Sequence, residues 1–196
     1  KDGLEIKLNQ YRAEIEAIVN SKDWTLFRSY FHHSIGSEER AIKSVLWCRF
    51  FFPHYFTDTT PLFHYELAYL FFAQENEYWA APRGFSKTSL AQGLIACSIA
   101  HSWETFIVVV EKSFTEAAEI LSAIREEFTD NPMLKAVYGE LVAKTAEGQE
   151  LNKVKDAEGD MFIGGVRLRA KGFNAPIRGL KSKQFRPSFV LCDDVE

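Results

Sequence analysis

Lys87 and Thr88 are the first residues whose types and spacing suggest a specific chemistry. They end a turn that follows the apolar residues 78–81, and a helix-forming segment over 90–100 begins directly after them. In a phosphate-binding loop of this layout, backbone N–H groups and the positive end of a helix dipole surround a triphosphate, a lysine contacts its β and γ groups, and a threonine holds Mg²⁺. The pattern therefore predicts a nucleotide site made of Pro82, Arg83, Gly84, Phe85, Ser86, Lys87, Thr88 and Ser89.

The loop departs from the G-x-x-x-x-G-K-[ST] pattern at both glycine positions. These positions fall on Ala81 and Ser86, and Gly84 lies between them. Because serine is less free than glycine to adopt a backbone conformation with positive φ, this substitution puts the nucleotide-bound shape of the loop in question. The loop alone does not distinguish a nucleotide site from a chance turn, so a second element has to decide.

Asp193 and the carboxylates after it form that second element. The apolar run 189–192 is followed by Asp-Asp-Val-Glu at 193–196. A buried parallel strand that ends in a carboxylate can place Asp193 beside Mg²⁺ through the water shell of the ion, and an adjacent carboxylate can polarise an attacking water. An acidic turn after a strand is common by itself. Its combination with Lys87-Thr88 about a hundred residues upstream favours nucleotide hydrolysis, with Asp194 and Glu196 as candidate bases.

A stretch of basic residues, with no acidic one among them, precedes this strand. It can be a solvated hairpin and loop, or it can contact DNA phosphates or a nucleotide bound to a neighbouring subunit. Arg178 is the candidate for the contact with a neighbour, and Arg83 is close enough in sequence to touch the γ-phosphate in cis. The basic residues are Arg167, Arg169, Lys171, Arg178, Lys181, Lys183 and Arg186.

Composition bounds the class of protein. The chain has 196 residues, of which 46% are hydrophobic and 14% aromatic, enough for one substantial α/β domain with a packed core. The net charge of −4 gives no overall nucleic-acid footprint. The three cysteines lie far apart with no C-x-x-C pair, which argues against a zinc site or a disulfide framework and favours a reducing cytoplasm. The five histidines show no metal-site spacing either. No signal peptide is visible and no apolar run approaches the ~20 residues of a membrane span, so no membrane partner is expected.

Helical periodicity dominates the first 72 residues. Helices are predicted near the N-terminus, over 24–31, over 37–52 with Ser37 as the N-cap, and over 62–72. The first of these patterns consists of Leu4, Leu8, Tyr11, Ile15 and Ile18. The many aromatic residues of this part could stack on bases, but the large area that each one buries favours core packing.

From Glu77 onward, strand and helix patterns alternate. Residues 105–110 are a continuous apolar run rich in β-branched residues, as expected in a strand covered on both faces. Gly164-Gly165 between two apolar segments, 161–163 and 166–170, predicts a β-hairpin. The other predicted elements are a strand over 78–81, helices over 88–101, 113–129 (capped by Ser113) and 132–141, an exposed excursion over 144–159, and a strand over 189–192.

Several segments together resemble the ATPase domain of the large terminase subunit of tailed bacteriophages. They are Phe-Phe-Pro-His-Tyr-Phe at 51–56, Pro-Leu-Phe-His-Tyr-Glu at 61–66, Ala-Ala-Pro-Arg-Gly-Phe-Ser-Lys-Thr at 80–88, Ile-Arg-Gly at 177–179 and Arg-Pro-Ser-Phe-Val-Leu-Cys-Asp-Asp-Val-Glu at 186–196. The resemblance implies an α/β P-loop NTPase of the RecA-like ASCE type, with a mainly parallel sheet flanked by helices. It also implies an N-terminal helical subdomain at 1–72 packed on an ATPase core at 73–196.

The resemblance implies a role for each matching residue of the loop and its surroundings. Lys87 and Thr88 match the Walker A residues that bind phosphate and Mg²⁺, and Arg83 matches the arginine of the family's loop. Arg178 matches an arginine that reaches the ATP of a neighbouring subunit. The segment 63–65, Phe-His-Tyr, corresponds to the part of the family that lies on the adenine side.

Asp193 matches the Walker B aspartate at the metal, with Asp194 or Glu196 as the catalytic carboxylate. Related ATPases usually have a glutamate at the position of Asp194, whose side chain is one methylene shorter. Glu196 is longer but lies two residues further along the chain. The resemblance leaves both residues as candidates.

The function that the resemblance implies is Mg²⁺-dependent ATP hydrolysis that drives double-stranded viral DNA into a procapsid. The implied partners are DNA, the portal protein, the small terminase subunit and further copies of the chain in a ring, usually a pentamer. The implied location is the host cytoplasm and, transiently, the portal, and the family's coupling motif and nuclease domain would follow Glu196. Two alternatives stay open: the ATPase domain of a helicase-like translocase of double-stranded DNA, and a nucleotide-binding assembly module whose degenerate loop is inactive, as Ala81 and Ser86 suggest.

Overall fold

The computed structural model describes residues 2–57, 60–73, 84–142, 159–176, 179–181 and 186–194. The helices are α1 (Asp2–Ser21), α2 (Trp24–His32), α3 (Gly36–Phe51), α4 (Leu62–Phe72), α5 (Lys87–Ala100), α6 (Phe114–Asp130) and α7 (Pro132–Tyr138). The strands are β1 (Phe106–Glu111), β2 (Asp160–Ile163), β3 (Val166–Gly172) and β4 (Phe189–Cys192). None of the helices formed by these residues is long and apolar enough to cross a membrane.

The chain divides into two compact units, residues 1–97 and 98–196, and the boundary between them falls inside α5. A functional division at residue 72, between a helical subdomain and an ATPase core, stays a prediction. The predicted strand over 78–81 and residues 144–158 of the predicted excursion lie outside the described residues.

Aromatic side chains fill the core of the first unit. Phe27 and Phe31 of α2 are fully buried with ring centroids 4.8 Å apart, and Trp47 and Phe51 of α3 have centroids 4.5 Å apart. The Phe27 ring also meets Phe51 edge to face at 5.9 Å, which joins the two pairs. Tilted and edge-on contacts of this kind add to the large area that aromatic rings bury. The expectation of core packing is confirmed for Trp47 and Phe51, which are 0% and 2% exposed.

The start of α3 differs from the prediction. The helix begins at Gly36, whose φ is +75°, and its N-cap is Ile35, which makes no side-chain cap. Ser37, the expected N-cap, lies in the first turn and donates its hydroxyl hydrogen to the carbonyl of Phe72 at 3.0 Å. That carbonyl lies in the last turn of α4, where helix carbonyls lack intrahelical partners. The Ser37 prediction is wrong because the hydroxyl joins two helices instead of capping its own.

A mixed sheet with the strand order β2-β3-β1-β4 forms the centre of the second unit. β1 pairs in parallel with both β3 and β4, and β2 pairs antiparallel with β3. All six residues of β1 are buried, as predicted for a strand covered on both faces. Helix α6 packs on β1 and β3. The described part of this unit is therefore α/β, with a four-stranded mixed sheet and flanking helices.

The predicted hairpin is confirmed at Gly164 and Gly165. Their φ angles are +56° and +84°, and two consecutive positive angles are what a type I′ hairpin turn requires. β2 and β3 pair in the register that places Ile163 opposite Val166. The turn thereby fixes which side chains of the two strands share a face.

The helices on either side of Asn131 have well-defined ends. The Ser113 hydroxyl accepts from the Glu116 N–H at 3.2 Å and the Glu116 carboxylate accepts from the Ser113 N–H at 2.9 Å, which completes a capping box for α6. Asn131 caps α7, and Gly139, with φ +75°, ends it. The prediction that this helix extends to about residue 141 is wrong by three residues, because the chain at Gly139 has already left the helical conformation.

Candidate functional site

Ser86 gives the turn before α5 its shape. Its φ is +53°, and that of Gly84 is +83°, so both residues lie in the left-handed region that favours glycine. The Ser86 carbonyl accepts a hydrogen bond from the N–H of Leu90 at 2.9 Å, which begins the helical hydrogen-bond pattern. Serine therefore occupies one of the expected glycine positions and adopts the conformation for which glycine would be chosen there.

Lys87, Thr88 and Ser89 are the first residues of α5. The backbone N–H groups of a first helical turn and the positive end of the helix dipole together attract anions. Lys87 adds a cation at this end, and Thr88 adds an exposed hydroxyl. The helix has 14 residues and carries no acidic side chain in its first turn, so nothing on the helix itself opposes an anion at this position.

His64, on α4, contacts the same turn. Its side chain is 5% exposed, and its Nε2 lies 3.0 Å from the carbonyl oxygen of Phe85. The neighbouring Phe63 ring packs on the Phe85 ring with centroids 5.0 Å apart. The segment 63–65 predicted on the adenine side therefore contacts the backbone and the side chain of the predicted loop directly.

Four of the predicted site residues lie outside the described residues: Pro82, Arg83, Arg178 and Glu196. Gly84 to Ser89 lie in the first unit, and Asp193 and Asp194 lie in the second. The two sets of residues are therefore described separately, one at the start of α5 and one at the carboxyl ends of the parallel strands.

Asp193 follows β4 at the carboxyl edge of the sheet. Its N–H donates to the carbonyl of Val110 at 3.0 Å, so the parallel ladder of β1 and β4 continues one residue past the end of β4. Cys192 pairs with Val110, so the next pair in this register is Glu111 and Asp193. The crevice outside the carboxyl ends of parallel strands is where open α/β sheets bind ligands.

Glu111 is a candidate functional residue that the sequence analysis missed. Its side chain is only 6% exposed, and burial raises its pKa to about 7, with smaller contributions from the charges of Asp193, Asp194 and Glu116. A hydrogen bond from the Lys112 backbone acts in the opposite direction. Its pKa therefore lies near neutral pH. Such a group can accept or donate a proton at the sheet edge.

A signal for Glu111 was present in the sequence. The residue ends an uninterrupted apolar run, and a charged residue at the carboxyl end of a buried parallel strand is a common position for functional side chains. What the sequence order did not reveal is that β4, about eighty residues later, pairs next to β1 and places Asp193 in register with it.

Asp194 turns the chain at the end of β4. Its φ is +41°, and aspartate tolerates the left-handed conformation better than most residues other than glycine. The side chain is exposed, whereas that of Asp193 is partly buried. The two adjacent carboxylates thus lie in different surroundings, which is a requirement if they are to have different roles.

Arg167, the first of the predicted basic stretch, has a structural role in the described fold. Its guanidinium donates to both carboxylate oxygens of Asp160 at 2.8 and 2.6 Å and to the carbonyl of Lys181 at 2.8 Å, and its side chain is largely buried. The same group lies 5.0 Å from the centroid of the Phe106 ring. Arg167 is therefore committed to the sheet, whereas Lys181 and Arg186 are exposed.

Within the described ranges, no group of three or more histidine, cysteine or carboxylate side chains is arranged to hold a metal ion. The carboxylates at the sheet edge still fit Mg²⁺ by their chemistry, since this ion keeps several waters and takes one or two carboxylates. Asp193 and the Thr88 hydroxyl are the oxygens that the sequence predicts for this ion, and both assignments stay predictions.

Comparisons of this chain with protein-family models, with curated proteins and with solved structures gave no match. Its function has to be inferred from its own residues.

Proposed function

We propose that this chain is a P-loop ATPase of the RecA-like type that binds ATP·Mg²⁺ at the turn before α5 and hydrolyses it. The observation that carries the proposal is the left-handed conformation of Ser86 directly before Lys87, Thr88 and the start of a long helix. Without it, a serine at a glycine position would argue against a phosphate-binding turn. With it, the serine has the positive φ for which glycine is favoured at that position, and this supports the proposal.

In this proposal, the residues at the start of α5 bind the triphosphate. The ammonium group of Lys87 and the first N–H groups of the helix contact phosphate oxygens, and Arg83 adds a second cation in cis. The Thr88 hydroxyl and Asp193 are the protein oxygens for Mg²⁺, which when bound neutralises charge on the β- and γ-phosphates.

Carboxylates at the carboxyl ends of β4 and β1 are the candidates for the proton transfer from the attacking water. Asp194 or Glu196 accepts this proton, and Glu111 beside Asp193, whose pKa is raised, can take up a proton and so lower the local negative charge. Arg178 contacts the nucleotide of a neighbouring copy in a ring. Translocation of double-stranded DNA into a procapsid is part of the proposal on the basis of the terminase resemblance alone.

Nucleotide binding is the first test of this function. We expect wild type to bind ATP in the presence of Mg²⁺ and Lys87→Ala to bind at least tenfold more weakly, a loss of about 1.4 kcal/mol. Isothermal titration calorimetry measures both affinities. Lys135→Ala is the matched control, because the partly exposed ion pair of this lysine with Glu140, at 3.5 Å, should contribute little.

Phosphate release is the second test. Asp194→Asn and Glu196→Gln should keep ATP affinity, and the variant that removes the catalytic carboxylate should lose phosphate release. Binding comes first because an arginine supplied by a neighbour can contribute about 10³–10⁵ in rate, so a single copy can bind without turnover. Equal ATP affinities for wild type and Lys87→Ala would refute the ATP site. ATP binding without phosphate release in assembled rings would favour the alternative of an inactive assembly module.

A further inference from the structure

The peptide bond between Phe85 and Ser86 is held from outside the turn. Its carbonyl oxygen can only accept a hydrogen bond, so the contact at 3.0 Å requires that the Nε2 atom of His64 carry the hydrogen. The contact joins residues 21 positions apart in the sequence. It therefore fixes the turn to α4, a separate helix, and not to a neighbouring part of the turn.

The orientation of this peptide and the φ angle of Ser86 are linked by covalent geometry. The φ angle is the rotation about the N–Cα bond of Ser86, and the peptide plane that carries the Phe85 oxygen lies on one side of that bond. Changing φ from +53° to the negative values that serine prefers turns this plane by roughly 100° or more. The Phe85 oxygen would then no longer point at His64.

The ring of His64 is itself held in place. Its side chain is almost completely buried, and it packs edge to face against the rings of Phe56 at 6.5 Å and Phe63 at 4.5 Å. The adjacent Tyr65 is 3% exposed, so this turn of α4 is anchored in the core of the first unit. The donor is thus pre-positioned, and little further ordering is needed to make the hydrogen bond.

The second ring nitrogen of His64 makes the side chain unusual for a core residue. Nδ1 is buried and has no hydrogen-bond partner among the described residues. A buried polar atom without a partner is unfavourable, and a phenylalanine would fill the same space without this penalty. A histidine at this position is explained by what its other nitrogen does at the Phe85 carbonyl.

We propose that His64 is a positioning residue that keeps the Phe85–Ser86 peptide in its strained orientation, so that Ser86 can replace a glycine before Lys87. The inference rests on the proposed function for its consequence, which is nucleotide affinity. Its structural part, the dependence of the Ser86 conformation on His64, does not require that function. A glycine at position 86 would adopt the same φ without help.

The test is a double-mutant cycle between His64→Phe and Ser86→Gly. Phenylalanine keeps the ring volume and removes the donor, so His64→Phe should lower ATP affinity about tenfold in the Ser86 background and less than threefold in the Ser86→Gly background. His64→Gln, whose side-chain amide can donate from a position close to that of Nε2, should stay within threefold of wild type. A residue that only fills space would give equal losses in both backgrounds.

Thermal unfolding without nucleotide gives an independent reading of the same cycle. We expect the Tm change caused by His64→Phe to be about 2–4 °C more negative in the Ser86 background than in the Ser86→Gly background. If wild type binds no ATP, the proposed function fails, and the Tm cycle still decides whether His64 holds the peptide. Additive effects of the two substitutions on Tm would overturn the inference, whatever the ATP affinities are.

Discussion

Replacing Glu111 with glutamine should stabilise the protein at pH 8 and have little effect at pH 4. The carboxyl group is almost fully buried at the sheet edge, and its pKa in the folded protein is raised to about 7 from an ordinary value of 4.5. Between these two values the unfolded chain releases its proton and the folded chain retains it. Wild type therefore loses stability as the pH rises through this window, and the loss is complete above pH 7.

The size of the effect follows from the pKa difference. One pKa unit corresponds to 1.36 kcal/mol, so a shift from 4.5 to about 7 gives an upper value of about 3 kcal/mol at pH 8. The neighbouring Asp194 is exposed, so water near it reduces both the cost of burying the charge and the smaller repulsion between the carboxylates. We expect Glu111→Gln to gain about 1–3 kcal/mol over wild type at pH 8, since the amide keeps the shape of the side chain and carries no charge.

Urea-induced unfolding at pH 4, 5, 6, 7 and 8, with a chelator present, measures the free energy of unfolding of both proteins. The difference between them should rise with pH and level off above pH 7. Glu119→Gln, which removes one charge from the exposed face of α6, is the matched control. A difference for Glu111→Gln that is the same at pH 4 and pH 8, or largest at pH 4, would refute the burial argument.

Two further predictions concern stability alone. Ser113→Ala removes the hydrogen bond that the Ser113 hydroxyl accepts from the Glu116 N–H at 3.2 Å, so it should lower the free energy of unfolding in urea by about 1 kcal/mol. Ser122→Ala, on the exposed face of α6, is the control and should lower it much less. Equal losses would contradict the capping role. Gly93→Ala would place a Cβ 2.7 Å from the buried Sγ of Cys48, so it should lower the free energy of unfolding by about 1–3 kcal/mol despite the better helix propensity of alanine. Adding Cys48→Ala should recover much of this loss. A higher Tm for Gly93→Ala than for wild type would show that the contact does not limit stability.

The elements of this chain that depend on local pattern were predictable. The helical spacing of the apolar residues predicted α1, the apolar segment after the 53–61 loop predicted α4, the uninterrupted apolar run predicted β1, and Gly164-Gly165 predicted the hairpin turn. These signals are local, so a single sequence contains them in full. The predicted α/β class followed from the alternation of strand and helix patterns, and the described part of the second unit agrees with it.

Features that depend on contacts between distant segments were not predictable. Ser37 carried the signal of an N-cap, but its hydroxyl bonds to Phe72, 35 residues away. Arg167 was grouped with cations available for phosphates, and its commitment to Asp160 depends on how the hairpin packs. Glu111 gains its raised pKa from burial and from the neighbouring strand. In each case the residue type was visible and the partner was not.

The candidate loop is an intermediate case. Its sequence predicts phosphate chemistry, which stays a proposal, and an unfavourable residue at position 86. The structure answers only the second point, because Ser86 itself adopts the left-handed backbone conformation. A sequence pattern indicates which backbone conformations each residue prefers. It does not indicate which hydrogen bonds a neighbouring helix donates to that backbone. The contact from His64 is such a hydrogen bond, and no motif contains it.

The pairing of β4 with β1 has a consequence for how the chain folds. The Ser188 hydroxyl accepts from the N–H groups of Thr105 and Phe106 at 3.1 and 3.2 Å, so residues 83 and 82 positions apart meet where the ladder of these two strands begins. Contacts of such long range require closure of a large loop before any of them is formed, and they slow folding. During synthesis, the residues that begin α5 emerge about a hundred residues before those of β4. We therefore expect the carboxyl ends of β1 and β4 to come together among the last contacts of the described structure.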